Sequence, residues 1–384
     1  MPTGPGDVLD LIRRGRAVTR GDVLDVTGLS RMTVAQRIDR LLAEGLVVEG
    51  GTTEATGGRR RRSLRFNVAR SRIAVASVDT THTRTAITAL DGSILADEAI
   101  EVAVTDGPSA VLGAIATSVE RLIGRCGLTS ADISGIGVSV PGPVDPHSGR
   151  PSQPPIMPGW DGYPIADHLA SALHDLPVLT ANDADAAAVG EYAAAHLGAG
   201  SLCLVKVSTG IGTGIVIDGR SYRGVDGGAG DIGHVRLDPD SEAVCQCGAH
   251  GCLAAIASGR AIARDLTALG IPASSGRDVR RLLAEGNVDA ARLTQQAGRR
   301  IGEVMTTVVS VLNPEFVLVG GALASAPLLS GIRETLYQLS LPRATRHITL
   351  ELGSLGEDAA LVGLTRLVVD EQFSPAAVNA RLLG

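Results

Sequence analysis

Long hydrophobic runs are absent from this sequence. No apolar stretch approaches the roughly 20 residues that a membrane-spanning helix needs, so no such helix is expected. The N-terminal residues form no apolar signal region, so the cytoplasm is the expected location. Cysteine is scarce. Five in 384 residues is too few for a disulfide framework and fits reduced thiols or metal ligands. Charged residues are only 20% against 44% hydrophobic, the balance of a globular rather than a disordered chain. The length suffices for two or three domains with a sizeable core.

Three of the five cysteines stand together. The stretch from Gly230 to Leu253 reads Gly-Asp-Ile-Gly-His, then ten residues, then Cys-Gln-Cys-Gly-Ala-His-Gly-Cys-Leu. His234, Cys245, Cys247 and Cys252 have the number and kind of ligands of a closed tetrahedral zinc site. Gly248 and Gly251 suit the tight turns of a metal knuckle, because glycine tolerates positive φ. A chance cluster or a disulfide remains the alternative reading. His250 competes as a ligand, but it sits inside the tight loop and ranks below His234. Cys126 and Cys203 lie in apolar segments.

Charge is unevenly spread. Residues 1–72 hold 14 arginines and 8 acidic residues, a net +6, while the remainder is −12. A basic end on an acidic body implies an anionic partner for that end alone. Periodicity there predicts a short helix over Asp7–Arg14, a second over Arg20–Val26 capped by Thr19 and ended by Gly28, and a third over Arg31–Glu44 capped by Ser30. Val34, Ile38, Leu41 and Leu42 form the buried stripe of the third helix. Its other face carries Arg31, Thr33, Gln36, Arg37 and Arg40. Two short strands around Gly57-Gly-Arg-Arg-Arg-Arg complete a wing. The pattern is a winged helix-turn-helix: Ser30, Arg31, Thr33, Gln36 and Arg37 face a major groove, and Arg59, Arg60 and Arg61 lie along phosphates or a minor groove. A three-helix protein-binding module is the alternative.

From residue 73 the pattern changes. Strands are expected at Ile73–Asp79, Thr85–Leu90, Ile94–Val104 and Ile133–Val140, with an amphipathic helix over Ser109–Cys126. A similar order recurs with strands at Leu202–Val207 and Ile215–Ile217, a turn over Ser208–Gly214, a helix near Thr294–Leu312 and a strand at Phe316–Val319. Two similar α/β halves put a cleft between them, a usual place for a ligand.

With the knuckle, Asn182-Asp183-Ala-Asp-Ala-Ala-Ala, Val140-Pro-Gly-Pro-Val-Asp145, and Asn313-Pro-Glu leading to Gly320-Gly321, the chain resembles the ROK family (repressors, open reading frames, kinases). The resemblance covers essentially the whole chain. It implies an α/β fold class: a winged helix-turn-helix domain over 1–72, then a two-lobed actin-like ATPase/sugar kinase body over 73–384 with a zinc knuckle at 234–252. By the resemblance, Asp183 is the general base of a kinase. Asn182, Asp183, Asp231 and His234 are sugar contacts, with His234 binding zinc through its other nitrogen. Thr209, Gly210, Gly212, Gly320 and Gly321 match nucleotide-binding positions. An Asn-Asp pair alone reads equally as a helix cap.

The departures from the family pattern bear on activity. The expected glutamates are Asp231 and Ala254. Pro155-Ile-Met-Pro lacks an asparagine. The first phosphate loop reads Asp79-Thr-Thr-His-Thr83 without its glycines, so side chains occupy the space where backbone amides approach a polyphosphate. The expectation is a non-catalytic DNA-binding regulator, most readily a repressor of carbohydrate genes, homodimeric or homotetrameric, with operator DNA and a sugar-derived effector as partners and no membrane. Zinc is structural, and ATP binding is in doubt. A sugar kinase that also binds DNA, and a regulator answering to a protein partner, are the rivals.

Overall fold

The computed structural model describes residues 4–53 and 61–383. Its first part is three helices and a hairpin: α1 (Pro5–Arg13), α2 (Arg20–Thr27), α3 (Arg31–Ala43), β1 (Val47–Thr53) and β2 (Arg61–Phe66). Thr19 caps α2 in a reciprocal box with Asp22, and Gly28 ends it in the left-handed region. Ser30 accepts the Thr33 N–H at the start of α3. Val8, Leu9, Val34, Ile38 and Leu41 meet in one core, whereas Leu42 is only partly buried against it.

The body begins with β3 (Arg72–Val78), β4 (Thr83–Ala89) and β5 (Ile94–Ile100), followed by α4 (Pro108–Arg125), β6 (Ile133–Val140), α5 (Ile165–Ala172), β7 (Val178–Asn182) and α6 (Asp183–Ala195). The second half has β8 (Ser201–Val207), β9 (Ile211–Ile217), β10 (Arg220–Ser221), α7 (Leu253–Ala257), α8 (Gly259–Ala268), α9 (Gly276–Ala284) and α10 (Val288–Leu312). Then come β11 (Phe316–Gly320), α11 (Ala326–Leu339), α12 (Pro342–Thr345), β12 (Thr349–Leu352), α13 (Ala359–Gln372) and α14 (Pro375–Leu383). No helix among the described residues is long and apolar enough to cross a membrane.

The expected repeat is present in the sheets. Lobe 1 has strand order β5-β4-β3-β6-β7 and lobe 2 has β10-β9-β8-β11-β12. Each lobe's first strand thus pairs antiparallel with its second and parallel with its fourth. Helices α4 and α5 cover one face of lobe 1 around Trp160, and α7 to α11 cover one face of lobe 2. Between the sheets lie α6, against β8 and β9, and α13, against β3 and β6. Those two helices touch backbone to backbone. A Cβ on Gly190 would stand 2.0 Å from the Ala359 carbonyl oxygen, and one on Gly363 would stand 1.7 Å from that of Ala186.

Three sequence expectations need correcting. The third strand ends at Ile100, not Val104: Asp106 accepts the Ala103 N–H and folds Val104–Asp106 into a 3-10 turn with Val104 buried. The second strand begins at Thr83. The stretch Ser208–Gly214 is not one long turn: β9 starts at Ile211, because Gly212 and Gly214 pass under α6, where a Cβ at 214 would meet the Ala184 carbonyl oxygen at 2.2 Å.

The chain's end closes on its beginning. Asn379 Oδ1 accepts the Gly6 N–H at 2.7 Å, Arg13 pairs with Asp370, and Phe66 meets Phe373 edge-on at 5.4 Å between ring centres. The last helix, α14, begins at Pro375, a position where no backbone N–H is needed.

Candidate functional site

The carboxyl ends of the parallel strands of both lobes converge on one cleft, the usual ligand position in such sheets. Asp79 follows β3, Pro141–Pro143 follow β6, Asn182 ends β7, Ser208 follows β8 and Gly321 follows β11. Two cavities occupy the cleft. The larger, about 520 Å3, is lined by Asn182, Asp183, Asp231 and His234, and by Gly210, Gly212 and Ala254. The smaller, about 80 Å3, is lined by Thr81, His82, Arg277, Glu357 and Gly321. Asp79, Ser208, Thr209 and Lys206 border both.

The structure therefore brings together the four residues expected to contact a sugar, although their hydrogen-bonding capacity differs. Asn182 is the N-cap of α6: its Oδ1 accepts from Ala184 N at 2.8 Å and Asp185 N at 3.2 Å, and its Nδ2 donates to the Gly142 carbonyl at 3.0 Å. The cap reading of that residue is thus realised, with its side chain still at the cavity wall. Asp183 accepts from the Lys206 ammonium, a half-hidden pair whose side chains are 13% and 17% exposed. Burial pushes the Asp231 carboxyl above its ordinary range, against the pull of His234. Asp185 sits behind these at 4% exposure, with an Oδ1 that has no hydrogen-bond partner among the described residues. Burial, opposed by Arg223 and reinforced by Asp183, lifts its pKa to about 7. Lys206, Gln153 and Arg260 line the larger cavity without having been expected from the sequence. Lys206 had a legible signal, since it is the chain's single lysine, set in an apolar strand.

On the smaller side Thr81 and His82 of the first loop line the cavity wall. Asp79 accepts from Thr80 Oγ1 at 3.0 Å. Burial raises its pKa, but the Lys206 charge and the Thr80 N–H outweigh that and hold it below the usual range. Burial pulls the His82 pKa down. Two ion pairs stand at this cavity: Arg277 of α9 with Glu101 after β5 at 3.7 Å, which bridges the lobes, and Arg280 of α9 with Glu357 in the connection from β12 to α13. At about 80 Å3 this cavity is well below the roughly 300–1,000 Å3 typical of pockets for drug-sized ligands. Of the expected nucleotide positions, Gly212 packs on α6, Gly320 packs on Leu204, and Gly321 turns at φ +86° below Val207. Only Gly210 has open space.

The knuckle lies at the other wall. A tetrahedral ion with bonds of about 2.3 Å to sulfur and about 2.0 Å to nitrogen separates its ligand atoms by about 3.8 Å (S to S) and about 3.5 Å (S to N). Cys247 Sγ and Cys252 Sγ are 3.8 Å apart, and Cys245 Sγ is 3.5 Å from His234 Nδ1. All four ligand atoms fall within 4.8 Å of one another, and His250 is outside the group. The set fits a metal ion. Gly248 and Gly251 both have positive φ, as the turns demand. All five cysteines are free thiols.

At the N-terminal end, Arg31 and Gln36 are exposed on α3, and Thr33 and Arg37 are half-buried. Ser30 and Thr33 share a hydroxyl hydrogen bond at 2.8 Å, which commits them to the cap. Arg59 and Arg60 lie outside the described residues, as does the side chain of Arg61.

Twin five-stranded lobes, two helices between them and a ligand cleft at the strand ends define the actin-like sugar kinase fold. Within it the chain belongs to the ROK family, whose pattern it matches over residues 75–371. It is 27% identical to the xylose repressor of Caldicellulosiruptor bescii across 96% of this chain and 95% of that protein. It is 30% identical to the glucokinase of Halalkalibacterium halodurans across 70% of this chain and 86% of that one. Among solved structures it superposes on a ROK family transcriptional regulator, a homologue of the Escherichia coli MLC protein. That match has a TM-score of 0.81 at 25% identity and covers 99% of this chain and 98% of the other.

Proposed function

We propose that the protein is a sugar-responsive transcriptional repressor. Residues 1–72 are its DNA-binding domain and residues 73–384 its effector domain. The observation that carries this is the extent of the likeness: a xylose repressor and a regulator structure are matched along nearly the whole chain, helices and hairpin of residues 4–66 included. The glucokinase is matched over only 70% of it. On this reading α3 enters a major groove, with Arg31, Gln36 and Arg37 at base edges, Ser30 and Thr33 at the backbone and Arg59, Arg60 and Arg61 on the wing. The protein acts in the cytoplasm as a dimer, or a pair of dimers, on a two-fold operator.

The larger cavity takes a sugar or sugar derivative, with a pentose such as D-xylose as the first candidate. Asp183, Asp231 and His234 accept and donate to its hydroxyls, and Asn182 fixes the start of α6 beneath it. His234, Cys245, Cys247 and Cys252 hold a structural zinc. His234 ligates through Nδ1 and leaves its other nitrogen for the ligand. Zinc supplies no step of chemistry here: it pins the loop that carries Asp231 and His234. The body has no efficient kinase activity, because its nucleotide side is small, lined by Thr81 and His82 and bridged by an ion pair. Thr209, Gly210, Gly212, Gly320 and Gly321 then serve folding rather than ATP.

Fluorescence anisotropy on DNA from the gene's own upstream region, at fixed salt, tests this with D-xylose, D-glucose and N-acetylglucosamine added in turn. Tight binding is expected, released by one of them, with Arg37→Ala weakening binding about 10- to 100-fold. Tight binding that none of the three moves sinks the sugar-sensor reading. The second reading, a DNA-binding sugar kinase, draws on the glucokinase likeness and the cavity-lining Asp183. ATP turnover that Asp183→Asn abolishes establishes it instead.

A further inference from the structure

Lys206 is the chain's single lysine. It stands on β8 between Val205 and Val207, both fully buried, and forms part of the partition between the larger and smaller cavities. Its ammonium pairs with Asp183 at the start of α6. The second carboxylate near it is Asp79, at the end of the neighbouring lobe's first strand. Both carboxylates come from lobe 1 and the ammonium from lobe 2. Two carboxylates at the floor of a half-dry cleft repel each other and have lost part of their hydration. A nearby cation relieves that repulsion, and here it is covalently part of the chain: the Lys206 ammonium paired with Asp183. Burial lowers the Lys206 pKa, but Asp183 and then Asp79 outweigh it and leave it raised.

One consequence follows from placing a fixed ammonium there. A divalent ion or metal–nucleotide approaching Asp79 and Asp183 meets a like charge that cannot diffuse away, with Arg260 and Arg264 as further cations on the cavity wall. An uncharged polyol avoids that penalty. It can donate a hydroxyl proton to Asp183 and accept from the Lys206 ammonium, and bonds with one ionised partner are the strong ones.

We propose that Lys206 is the resident cation of this cleft, the residue that fixes Asp183 as a hydroxyl acceptor, donates to the ligand itself and makes recognition of an uncharged sugar independent of nucleotide and divalent metal. This rests on reading the larger cavity as the sugar site. Lys206 sets ligand class, and it also accounts for the preserved Asp183 lacking a catalytic task. An aspartate whose oxygen already holds an ammonium is poorly placed to take a proton from a hydroxyl.

The single lysine supplies its own probe. The full chain grown with lysine labelled at Cε and Nζ gives one side-chain signal per chain by nuclear magnetic resonance. D-xylose, D-glucose and Mg–ATP are titrated separately, and the sugar Kd is measured by calorimetry with and without Mg–ATP. The expected result is a saturable shift with the sugar that releases DNA, no shift with millimolar Mg–ATP, and a sugar Kd that Mg–ATP leaves unchanged. Lys206→Met should bind that sugar at least about tenfold more weakly, the loss of one charge-assisted bond. A sugar that releases DNA without moving the signal reduces Lys206 to a structural counter-ion and overturns the proposal. So does Mg–ATP that shifts the signal or tightens sugar binding. If no sugar gives heat or releases DNA, the sensor reading itself fails, and an Mg–ATP shift then shows separately that Lys206 does not exclude nucleotide.

Discussion

Alanine at Gly363 tests how ligand site and DNA-binding end are joined. Gly363 lies mid-way along α13, where alanine should by propensity stabilise the helix by about 0.8–1.0 kcal/mol. The structure reverses that sign. The added methyl would stand 1.7 Å from the Ala186 carbonyl oxygen, 2.7 Å from its carbon and 2.8 Å from Gly190 N. Ordinary C···O approach is about 3.3–3.6 Å, so α6 and α13 must separate by about 1.5–2 Å locally. The obstructing atoms are helix backbone and cannot rotate away. Overpacking of this kind costs about 1–3 kcal/mol or more. Gly113 is the control: it is an exposed residue inside α4, and no atom lies within 4 Å of an added Cβ. Gly113→Ala should raise the urea midpoint by the equivalent of about 0.5–1 kcal/mol. Gly363→Ala should lower it by about 1–3 kcal/mol and blunt release of DNA by effector. Both alanines shifting the midpoint upward would refute the argument, because only the α6–α13 contact separates the two sites.

Two other perturbations address the cleft. Native mass spectrometry should find one zinc per chain, and chelation or Cys252→Ser should lower the melting temperature by more than about 5 °C. A zinc-free chain of unchanged melting temperature removes the metal. Asp185 gives a pH signature. Its folded pKa of about 7 exceeds the ordinary value of 3.8. Between those limits the folded state holds a proton that the unfolded chain has released, so the stability this one group contributes is fully present below about pH 4 and is lost as pH rises through about 7. From pH 5 to pH 8 the native chain should lose about 1–3 kcal/mol more than Asp185→Asn, and parallel urea midpoints for the two would contradict this.

Periodic and capped features were legible in the sequence. Thr19, Gly28 and Ser30 marked the ends of α2 and α3, and the repeated strand order followed from buried runs whose spacing recurs. The knuckle was legible because ligand type and spacing are local. What escaped depends on partners distant in sequence. Gly212 matched a nucleotide-binding position and Gly214 ended an expected turn, yet their local requirement is room for α6, which sequence spacing does not encode. Asn182 carried both a cap and a ligand reading, and the cap takes its oxygen. Nothing local in the last residues announces that Asn379 will hold Gly6. Lys206 was different: one lysine among 384 residues, in an apolar strand, is a local anomaly. A buried charge demands partners, but which carboxylates meet it, Asp183 first, is settled only by the fold.

On the proposed reading, the helices between the lobes set how large an effector has to be. The start of α6 carries Asn182 and Asp183. Its middle meets α13 at Gly190 and Gly363 with no side chain between to absorb a shift, and the far end of α13 grips Arg13 through Asp370. Packed backbones transmit displacement because they have few intermediate arrangements. The ion pairs at the nucleotide side, Arg277 with Glu101 and Arg280 with Glu357, are largely exposed and thus worth little each. The first biases the lobes without locking them. A full switch from 1:99 to 99:1 needs about 5.5 kcal/mol of differential affinity. Hydrogen bonds to charged groups contribute about 1.5–3 kcal/mol apiece. Two or three hydroxyls that meet Asp183, Lys206 and Asp231 only in one lobe arrangement supply that difference, so a monosaccharide is large enough to be the whole signal.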